Sequence, residues 1–234
     1  MSPRHRATMG RGRRAPDWVI KVGGSLGARP ASLRRLMETL AVVARRHWLV
    51  VVPGGGGFAD EVRRVDRRVH LGDSAAHWMA ILAMDQYGYL LARLAPGAAL
   101  VRSRHELTPG RLNVLAPSAW LLQVDPLPHS WDVTSDSIAA WIARAIRVPH
   151  LMLVKHDDGF VAPDLSPRAR RLALAALDGI VDPYFGRALD PAIGCWIVRG
   201  QQPQRIERLI ETGEGRGSSP ARRASGRARP YCPR

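Results

Sequence analysis

Short apolar runs alternate along the chain with segments in which apolar residues recur at helical spacing. The run WVIKVGG precedes SLRRLMETLAVVARR, and the run WLVVVPGGGG precedes FADEVRRVDRRV. Each pair is typical of a strand, a glycine-rich turn and a helix. Alternating strands and helices predict an α/β fold, a three-layer αβα sandwich around a mostly parallel central sheet. Ligands are expected where the turns leave the carboxyl ends of the strands.

The rest of the chain continues this alternation. The segment SAAHWMAILAMDQYGYLLARL predicts a long apolar helix, and short strands are expected around 99–101 and 120–122. The segment DVTSDSIAAWIARAI predicts a helix that Thr134 or Ser135 caps. A buried strand in LMLVKHDDGF, a strand in CWIVRG and a helix in PQRIERLIE are predicted last.

The two ends of the chain differ from its periodic part in composition. Residues 1–16 carry five arginines and no acid, and residues 213–234 carry six arginines against Glu214. These ends hold +10 of the formal net charge of +15. Their Gly, Ser, Pro and Arg content predicts disordered basic tails, which favour solubility or loose polyanion contact. No specific nucleic-acid partner is expected, although nucleic-acid binding through the tails stays open as an alternative.

The distribution of apolar residues and cysteines suits a cytoplasmic protein. No apolar run approaches the length of a membrane span, and the positive charge at the start has no apolar stretch behind it. The two cysteines, Cys195 and Cys232, lie in unlike contexts and cannot form a disulfide framework. We therefore expect a reducing, cytoplasmic location and no membrane partner.

The first glycine-rich turn carries a lysine. Lys21 lies in KVGGS, at the end of the first predicted strand, and Gly23, Gly24 and Ser25 follow it. Glycines let the backbone approach a ligand closely, and lysine supplies a compact positive charge, so the turn suits a polyphosphate. Taken alone, the motif is explained equally well as an ordinary strand-to-helix turn. Neither a Walker A loop nor a G-x-G-x-x-G fingerprint occurs.

The second glycine-rich turn favours an anion. Gly54, Gly55, Gly56 and Gly57 follow an apolar strand and precede a helix, where backbone N–H groups can face a negatively charged ligand. Ordering four glycines is costly, and a plain turn needs only one or two of them. The run therefore favours a ligand-binding loop over simple flexibility.

Four residues on the helices after this turn are candidates for binding a small ligand, such as the acceptor of a transferred group. Asp60 and Arg63 lie at helical spacing, where they either reach the acceptor or form a surface ion pair. His77 and Asp85 interrupt the long apolar helix and fall within one broad face. A lone helical histidine is more often a core or boundary residue than a ligand-binding one, so both interpretations stay open for His77.

Asp136 and Lys155 complete the candidate set. Asp136 lies at the entry to a predicted helix, where a carboxylate can hold lysine ammonium groups or cap backbone donors. Lys155 ends an apolar strand, where lysines are rarely found without a partner or a ligand. Asp157 and Asp158 are both candidates for that partner, although acidic turns after strands are frequently solvated.

Taken in order, KVGGS, PGGGG, VTSDSIA and LVKHDDGF resemble the motifs of the amino acid kinase superfamily, over residues 17–212. The resemblance implies an acceptor-binding lobe near 17–130, a nucleotide-binding lobe near 131–212, and the use of ATP with Mg²⁺. Lys21, Asp136 and Lys155 are then the expected catalytic residues. The expected ATP phosphate-binding residues are Gly23, Gly24, Ser25 and Asp158. The expected acceptor-binding residues are Gly54, Gly55, Gly56, Gly57, Asp60, Arg63, His77 and Asp85.

Within this superfamily, PGGGGFADEVR, DSAAHWMAILAMDQYG, SWDVTSDSIAAW and VDPYF are most similar to the kinases of methanofuran biosynthesis. The similarity implies a small phosphorylated acceptor, 5-(aminomethyl)furan-3-ylmethyl phosphate, which is converted to its diphosphate. A uridylate, glutamate or aspartate type of kinase and a non-catalytic nucleotide- or anion-binding relative stay open as alternatives.

The chain also departs from the pattern of many relatives. His156 stands where they often have an acidic or small polar residue, and their late lysine-bearing nucleotide loop is absent. Charge neutralisation is therefore expected from Lys21, Lys155 and Arg187. Because relatives with this architecture commonly assemble, a homo-oligomer is expected.

Overall fold

Six strands form one sheet in which all paired neighbours run parallel. The computed structural model describes residues 15–156 and 179–213 of the chain. The strands in these ranges are β1 (Trp18–Val22), β2 (Leu49–Pro53), β3 (Ala99–Val101), β4 (Asn113–Leu115), β5 (His150–Lys155) and β6 (Gly194–Arg199). Their order across the sheet is β3-β4-β2-β1-β5-β6, so the chain crosses from one half of the sheet to the other between β4 and β5.

Helices cover both faces of this sheet. They are α1 (Pro30–Val43), α2 (Gly56–Val69), α3 (Asp73–Leu94), α4 (Ser118–Val124), α5 (Ser135–Ala145), α6 (Phe185–Ala188) and α7 (Pro203–Thr212), and a short 3₁₀ helix spans Gly24–Ala28. Residues of α1 and α7 pack in one hydrophobic cluster, and residues of α4, α5 and α6 pack in another. The described helices include none that is long and apolar enough to cross a bilayer.

The central strands are buried on both faces because successive side chains enter different clusters. In β1, Val19 packs with the α5 residues and Ile20 packs with the α1 and α7 residues. In β2, Val50 packs in the cluster that contains the α5 residues, and Val51 packs in the cluster that contains the α1 and α7 residues. A strand buried on both faces needs apolar residues at consecutive positions, which explains the unbroken apolar runs in the sequence. The prediction of a three-layer αβα sandwich with a parallel sheet is confirmed.

The strand predicted around 120–122 is wrong. This segment lies within α4, and the strand that pairs with β2 on the side away from β1 is β4, at an earlier point of the chain. Trp120 and Leu121 are buried while Leu122 is exposed, which is a helical pattern that a short apolar run does not reveal. The Asp85 carboxylate accepts hydrogen bonds from the backbone N–H and the hydroxyl of Ser118, and it thereby caps the first turn of α4.

The strand register brings the glycine-rich turns to one edge of the sheet. Val22, the last residue of β1, lies opposite Pro53 of β2 and Val154 of β5. The turns that follow β1 and β2 and the end of β5 therefore meet where the strand order reverses. In α/β sheets, this place commonly forms a ligand-binding crevice.

The predicted domain limits stay predictions. Residues 1–14 and 214–234, which make up nearly all of the predicted tails, lie outside the described residues. The described part of the nucleotide-lobe prediction covers 131–156 and 179–212.

Candidate active site

The two glycine-rich turns pack directly against each other. A Cβ atom on Gly24 would lie 2.1 Å from the backbone nitrogen of Gly56, and a Cβ on Gly54 would lie 2.6 Å from that of Gly24. Any side chain at these positions would meet backbone, which cannot move aside cheaply. The glycines are therefore required by the contact between the turns, and this contact forms one wall of the site.

The glycines of these turns divide into two groups by their backbone hydrogen bonds. The N–H of Gly23 donates to the carbonyl of Val154 at 2.9 Å, and the N–H of Gly54 donates to the carbonyl of Val22 at 2.8 Å. These two glycines tie the turns to the sheet. Gly56 and Gly57 begin α2, and the first N–H groups of a helix have no acceptor within that helix. Such N–H groups can bind an anion.

Lys21 and Lys155 both contact the carboxylate of Asp136. The Nζ atom of Lys21 lies 2.9 Å from Oδ1, and that of Lys155 lies 2.5 Å from Oδ2. The side chains of Lys21 and Asp136 are 5% and 3% exposed, so this is a buried group of charges. The chain contains two lysines among its 35 lysines and arginines, and both lie here. The buried cluster thus contains the compact ammonium groups of the chain, whereas its other positions with lysine or arginine all carry arginine.

Burial and the charges of this cluster shift the pKa values of Asp136 and Lys155. Burial alone would raise the pKa of Asp136, but the positive charges of Lys21 and Lys155 outweigh it and the pKa is lowered. Burial lowers the pKa of Lys155, and the charge of Lys21 lowers it further. The carboxylates of Asp136 and Asp182 act in the opposite direction and offset part of that shift.

Asp182 fixes the turn that carries Asp136. Its carboxylate accepts hydrogen bonds from the backbone N–H groups of Thr134 and Ser137, each at 3.0 Å. It also accepts hydrogen bonds from both hydroxyl groups of these residues. Thr134 occupies the N-cap position of α5, one of the two predicted residues, but its side chain makes no capping bond and Asp182 supplies the capping carboxylate.

A cavity of about 220 Å³ lies beside the glycine turns. The first turns of α2, α3 and α5 contribute Gly56, Asp73 and Ser135 to its lining. Helix N-termini carry partial positive charge, so their convergence favours an anionic ligand. The aliphatic side chains of Ile81, Met84, Val133 and Ile138 form the apolar part of the wall.

One side of this cavity carries a group of paired polar side chains. Arg63 lies 3.0 Å from the carboxylate of Asp60, and its guanidinium group lies over the Trp131 ring, 4.7 Å from the centroid. The indole N–H of Trp131 donates to Asp66 at 2.9 Å. Asp60, Arg63 and Trp131 all line the cavity, which therefore offers an acid, a cation and an aromatic ring to a ligand.

His77 lies on the α3 side of the same cavity. Its ring stacks on that of His129, with centroids 4.4 Å apart. His129 is held between the hydroxyl group of Ser74 and the carboxylate of Asp125. Burial, together with the charge of His129, lowers the pKa of His77 to about 4. His77 is therefore neutral near pH 7 and meets a ligand as an uncharged imidazole.

The structure brings together most of the residues that the sequence singled out. Lys21, Asp136 and Lys155 form the charge cluster, and the residues that line the cavity are Gly24, Ser25, Gly55, Gly56, Asp60, Arg63 and His77. Asp85 is not brought to the cavity, because its carboxylate caps α4. The guanidinium group of Arg187 lies near the Tyr184 ring. Asp157 and Asp158 lie outside the described residues.

Three residues of this region were missed in the sequence. Asp182, Trp131 and His129 act through contacts with segments that are distant along the chain. Asp182 lies in VDPYF, a stretch that contributed to the resemblance, but nothing in its local pattern indicates a helix cap 48 residues away.

The parallel sheet, the two contacting glycine turns and the lysine–aspartate–lysine cluster define the class of protein. The chain belongs to the amino acid kinase family, whose model matches residues 18–182, and it is a kinase. At the level of individual relatives, it is similar to the [5-(aminomethyl)furan-3-yl]methyl phosphate kinase of Methanocaldococcus jannaschii. The two are 29% identical over 202 residues, which cover 82% of this chain and 92% of that protein.

Solved structures of two uridylate (UMP) kinases and an aspartate kinase share this fold. A uridylate kinase from Archaeoglobus fulgidus superposes with a TM-score of 0.66 at 19% identity, over 84% of this chain and 96% of that one. A UMP kinase from Ureaplasma parvum gives 0.61 at 16% identity, over 85% and 93% of the two chains. An aspartate kinase from Synechocystis gives 0.58 at 15% identity, over 78% of this chain and 37% of its own. At these identities the likeness concerns the fold alone.

Proposed function

We propose that this kinase transfers the γ-phosphoryl group of ATP to the phosphate of [5-(aminomethyl)furan-3-yl]methyl phosphate and forms the diphosphate. The observation that carries the transfer chemistry is that both lysines of the chain meet on one buried carboxylate beside the cavity. The choice of acceptor is supported by the similarity to the Methanocaldococcus jannaschii kinase over 92% of that protein.

The nucleophile in this reaction is an oxygen of the acceptor's phosphate. It is already ionised at neutral pH, so no general base is needed. As it bonds to the γ-phosphorus of ATP, the bond from that phosphorus to the β–γ bridging oxygen breaks. The bridging oxygen leaves on ADP with the bonding electrons. Catalysis then consists of alignment and of stabilising the charge that develops on the transferring group.

The charge cluster supplies that stabilisation. We assign Lys21 and Lys155 to the transferring phosphoryl group, because their ammonium groups are the cations that Asp136 holds at the end of the sheet. Asp136 keeps the two cations close together in spite of their mutual repulsion. When the negatively charged phosphates bind, they take over part of the role of that carboxylate. The cations are thus in place before the substrates arrive.

The backbone around the glycine turns is assigned to the phosphates that do not react. The first turn of the 3₁₀ helix, with Gly24 and Ser25, faces the cavity and is assigned to ATP. The first turn of α2, with Gly56 and Gly57, is assigned to the acceptor phosphate. Because the two turns are in direct contact, the two phosphates are held at a short separation, as in-line transfer requires.

The amine of the acceptor suits the acids of the cavity. Asp60 and Asp73 both line it, and a carboxylate that faces an ammonium group forms a charge-assisted hydrogen bond. The ring of the acceptor suits the face of Trp131, which also lines the cavity. A ligand with an anion at one end, a flat ring and a cation thus matches the groups that the cavity presents.

Magnesium is the metal that a kinase of this type implies. In the described part of the chain, no group of three or more His, Cys, Asp and Glu residues could hold a metal ion. Mg²⁺ retains water and is commonly held by substrate phosphates with one or two carboxylates, so it does not need a cage of protein ligands. When bound, it would neutralise charge on the β- and γ-phosphates.

The cytoplasmic location and the homo-oligomer also stay predictions.

The proposal is tested by measuring ADP release with ATP and a panel of acceptors. The panel contains the aminomethylfuran phosphate, uridylate, glutamate and aspartate, and phosphorus NMR identifies the product. The expected result is a diphosphate formed from the furan phosphate with the highest kcat/KM. A higher kcat/KM for uridylate or an amino acid would overturn the acceptor assignment and leave the kinase assignment in place.

A further inference from the structure

We propose that Asp182 is a positioning residue of the phosphoryl-transfer site, which fixes Asp136 between the two lysines and adds a second negative charge near them. The role rests on the proposed function, because it concerns the cations assigned to the transferring group. Asp182 does not itself line the cavity. It acts through the first turn of α5 and through its charge.

The first argument is geometric. The Asp182 carboxylate accepts its hydrogen bonds from Thr134 and Ser137, the residues on either side of the Ser135–Asp136 pair. Its Oδ2 atom binds the Thr134 hydroxyl at 2.8 Å. The positions of the two flanking residues determine where Asp136 lies. Displacing this turn would move the Asp136 carboxylate away from at least one lysine.

The second argument concerns how completely this cap depends on one residue. The N-cap residue of α5, Thr134, makes no capping bond with its own side chain. Asp182 lies 48 residues from Thr134 in sequence and is 9% exposed. Loss of a buried carboxylate that accepts several hydrogen bonds leaves its donors unsatisfied. The first turn of α5 therefore receives its capping bonds from Asp182 and not from its N-cap side chain.

The third argument is the balance of charge around Lys155. The groups that face it are Lys21 from β1, Asp136 from α5 and Asp182 from the segment before α6, and Arg199 is its register partner on β6. Asp136 alone would leave two ammonium groups on one carboxylate. Burial and the charge of Lys21 lower the pKa of Lys155, and Asp182 supplies a second negative charge that opposes this lowering. Removing it should lower that pKa, so Lys155 should lose its proton at a lower pH.

The test is the Asp182→Asn variant of the full chain, which keeps the shape of the side chain and removes its charge. We expect kcat to fall about tenfold or more while KM for the acceptor changes less than about threefold. The alkaline limb of the kcat profile should move to lower pH, because Lys155 loses a negative charge that favours its ammonium form. A variant whose kcat and alkaline limb match those of the wild type would overturn the proposal.

The lysine content of the chain provides a second measurement that does not depend on activity. With two lysines in the sequence, isotope labelling of lysine gives two side-chain signals, and the Lys155→Arg variant assigns them. In Asp182→Asn, the Lys155 signal should titrate at lower pH than in the wild type. Even if the wild type phosphorylates none of the acceptors, so that the proposed function fails, this titration still decides the role of Asp182.

Two controls separate charge from general damage to the fold. Asp17→Asn removes a carboxylate that accepts the backbone N–H of Trp48 at 2.7 Å, at the opposite end of β1. It should lower stability without shifting either the alkaline limb or the lysine signals. Asp182→Glu keeps the charge but displaces the turn, so kcat should fall while the Lys155 titration stays near that of the wild type. If Asp182→Asn does not fold, a wild-type kcat in Asp182→Glu would still contradict the positioning role.

Discussion

The two sides of the site differ in how their charges are held. On one side, Lys21 and Asp136 form an ion pair whose side chains are 5% and 3% exposed. On the other, Arg63 and Asp60 form a pair at a similar distance, but their side chains are 40% and 74% exposed. Water screens the exposed pair, which contributes little to stability and can exchange its partner for a ligand. A buried pair that loses one partner leaves an uncompensated charge, and this is strongly destabilising.

This difference indicates separate roles for the two sides. The buried side is fixed before substrates arrive, since its lysines are held by a carboxylate that Asp182 positions through α5. The exposed side consists of side chains that can adjust to a ligand, including Asp60 and Arg63. A rigid charge cluster suits a step that all members of a kinase family share, whereas adjustable polar groups suit the choice of acceptor.

The largest effect is expected from Lys21→Ala, on the buried side. Loss of a charge stabiliser in a site with little water costs about 3 kcal/mol of barrier, or on the order of a hundredfold in kcat. Stability should change less than activity, because Lys155 still pairs with Asp136. Steady-state kinetics and thermal unfolding of the same preparation measure both. Turnover within about threefold of the wild type would remove Lys21 from the catalytic residues.

The next effect concerns the shape of the cation. Lys155→Arg keeps the positive charge but replaces a compact ammonium group with a planar guanidinium group, which cannot occupy the same position beside Asp136. We expect kcat to fall about tenfold or more. Arg208→Lys, on the exposed face of α7, is the matched control and should leave kcat unchanged. If Lys155→Arg is fully active, charge alone suffices at this position.

The contrast between the two sides also explains what the sequence could predict. Apolar runs and glycine turns have local signatures, and they were sufficient for the parallel sheet and for Lys21, which lies within a motif. Trp120 and Leu121 show the limit of that reasoning, because a short apolar run fits a strand and a buried helix equally well. The sequence indicated that Asp136 could hold lysine ammonium groups, but only the fold brings its carboxylate to both Lys21 and Lys155.

Local sequence patterns could not predict contacts between residues that are far apart in the chain. The Asp182 carboxylate meets Ser137 across 45 residues, and Trp131 meets Asp66 across 65. Neither contact follows from spacing within a helix or from a turn. Asp85 shows the converse: its position on an apolar helix suggested a ligand, but the fold gives its carboxylate a structural partner, Ser118.

The exposed side should determine the preference for an amine. Replacing the aminomethyl group of the acceptor with methyl should lower kcat/KM by up to about 1 kcal/mol, or about fivefold, because a largely exposed carboxylate would lose its ammonium partner. Asp60→Asn should reduce this preference, since Asp60 lines the cavity. Asp85→Asn should leave the preference unchanged, because that carboxylate caps α4. Equal kcat/KM values for the two acceptors would contradict the assignment of the amine.

The smallest effect concerns His77 and the dependence of stability on pH. The pKa of His77 is lowered from 6.5 to about 4 by burial and by His129, so the folded protein resists its protonation. Between these two pH values the unfolded chain binds more protons at this residue than the folded one. Stability should therefore be complete above pH 6.5 and should decrease as pH falls towards 4.

The His77→Gln variant isolates this contribution, because glutamine does not titrate. Its free energy of unfolding should decrease less steeply than that of the wild type as pH is lowered from 6.5 to 4, and urea unfolding at several pH values measures both slopes. The carboxylates that titrate in the same range are common to both proteins, so the difference between the slopes belongs to His77 and to its contact with His129. Parallel slopes would mean that His77 is protonated as readily in the folded protein as in the unfolded chain. Its imidazole would then meet the acceptor as a cation at mildly acidic pH. In its exposure to solvent, this charge on the α3 side of the cavity would resemble the Asp60–Arg63 pair and not the buried cluster of Lys21, Asp136 and Lys155.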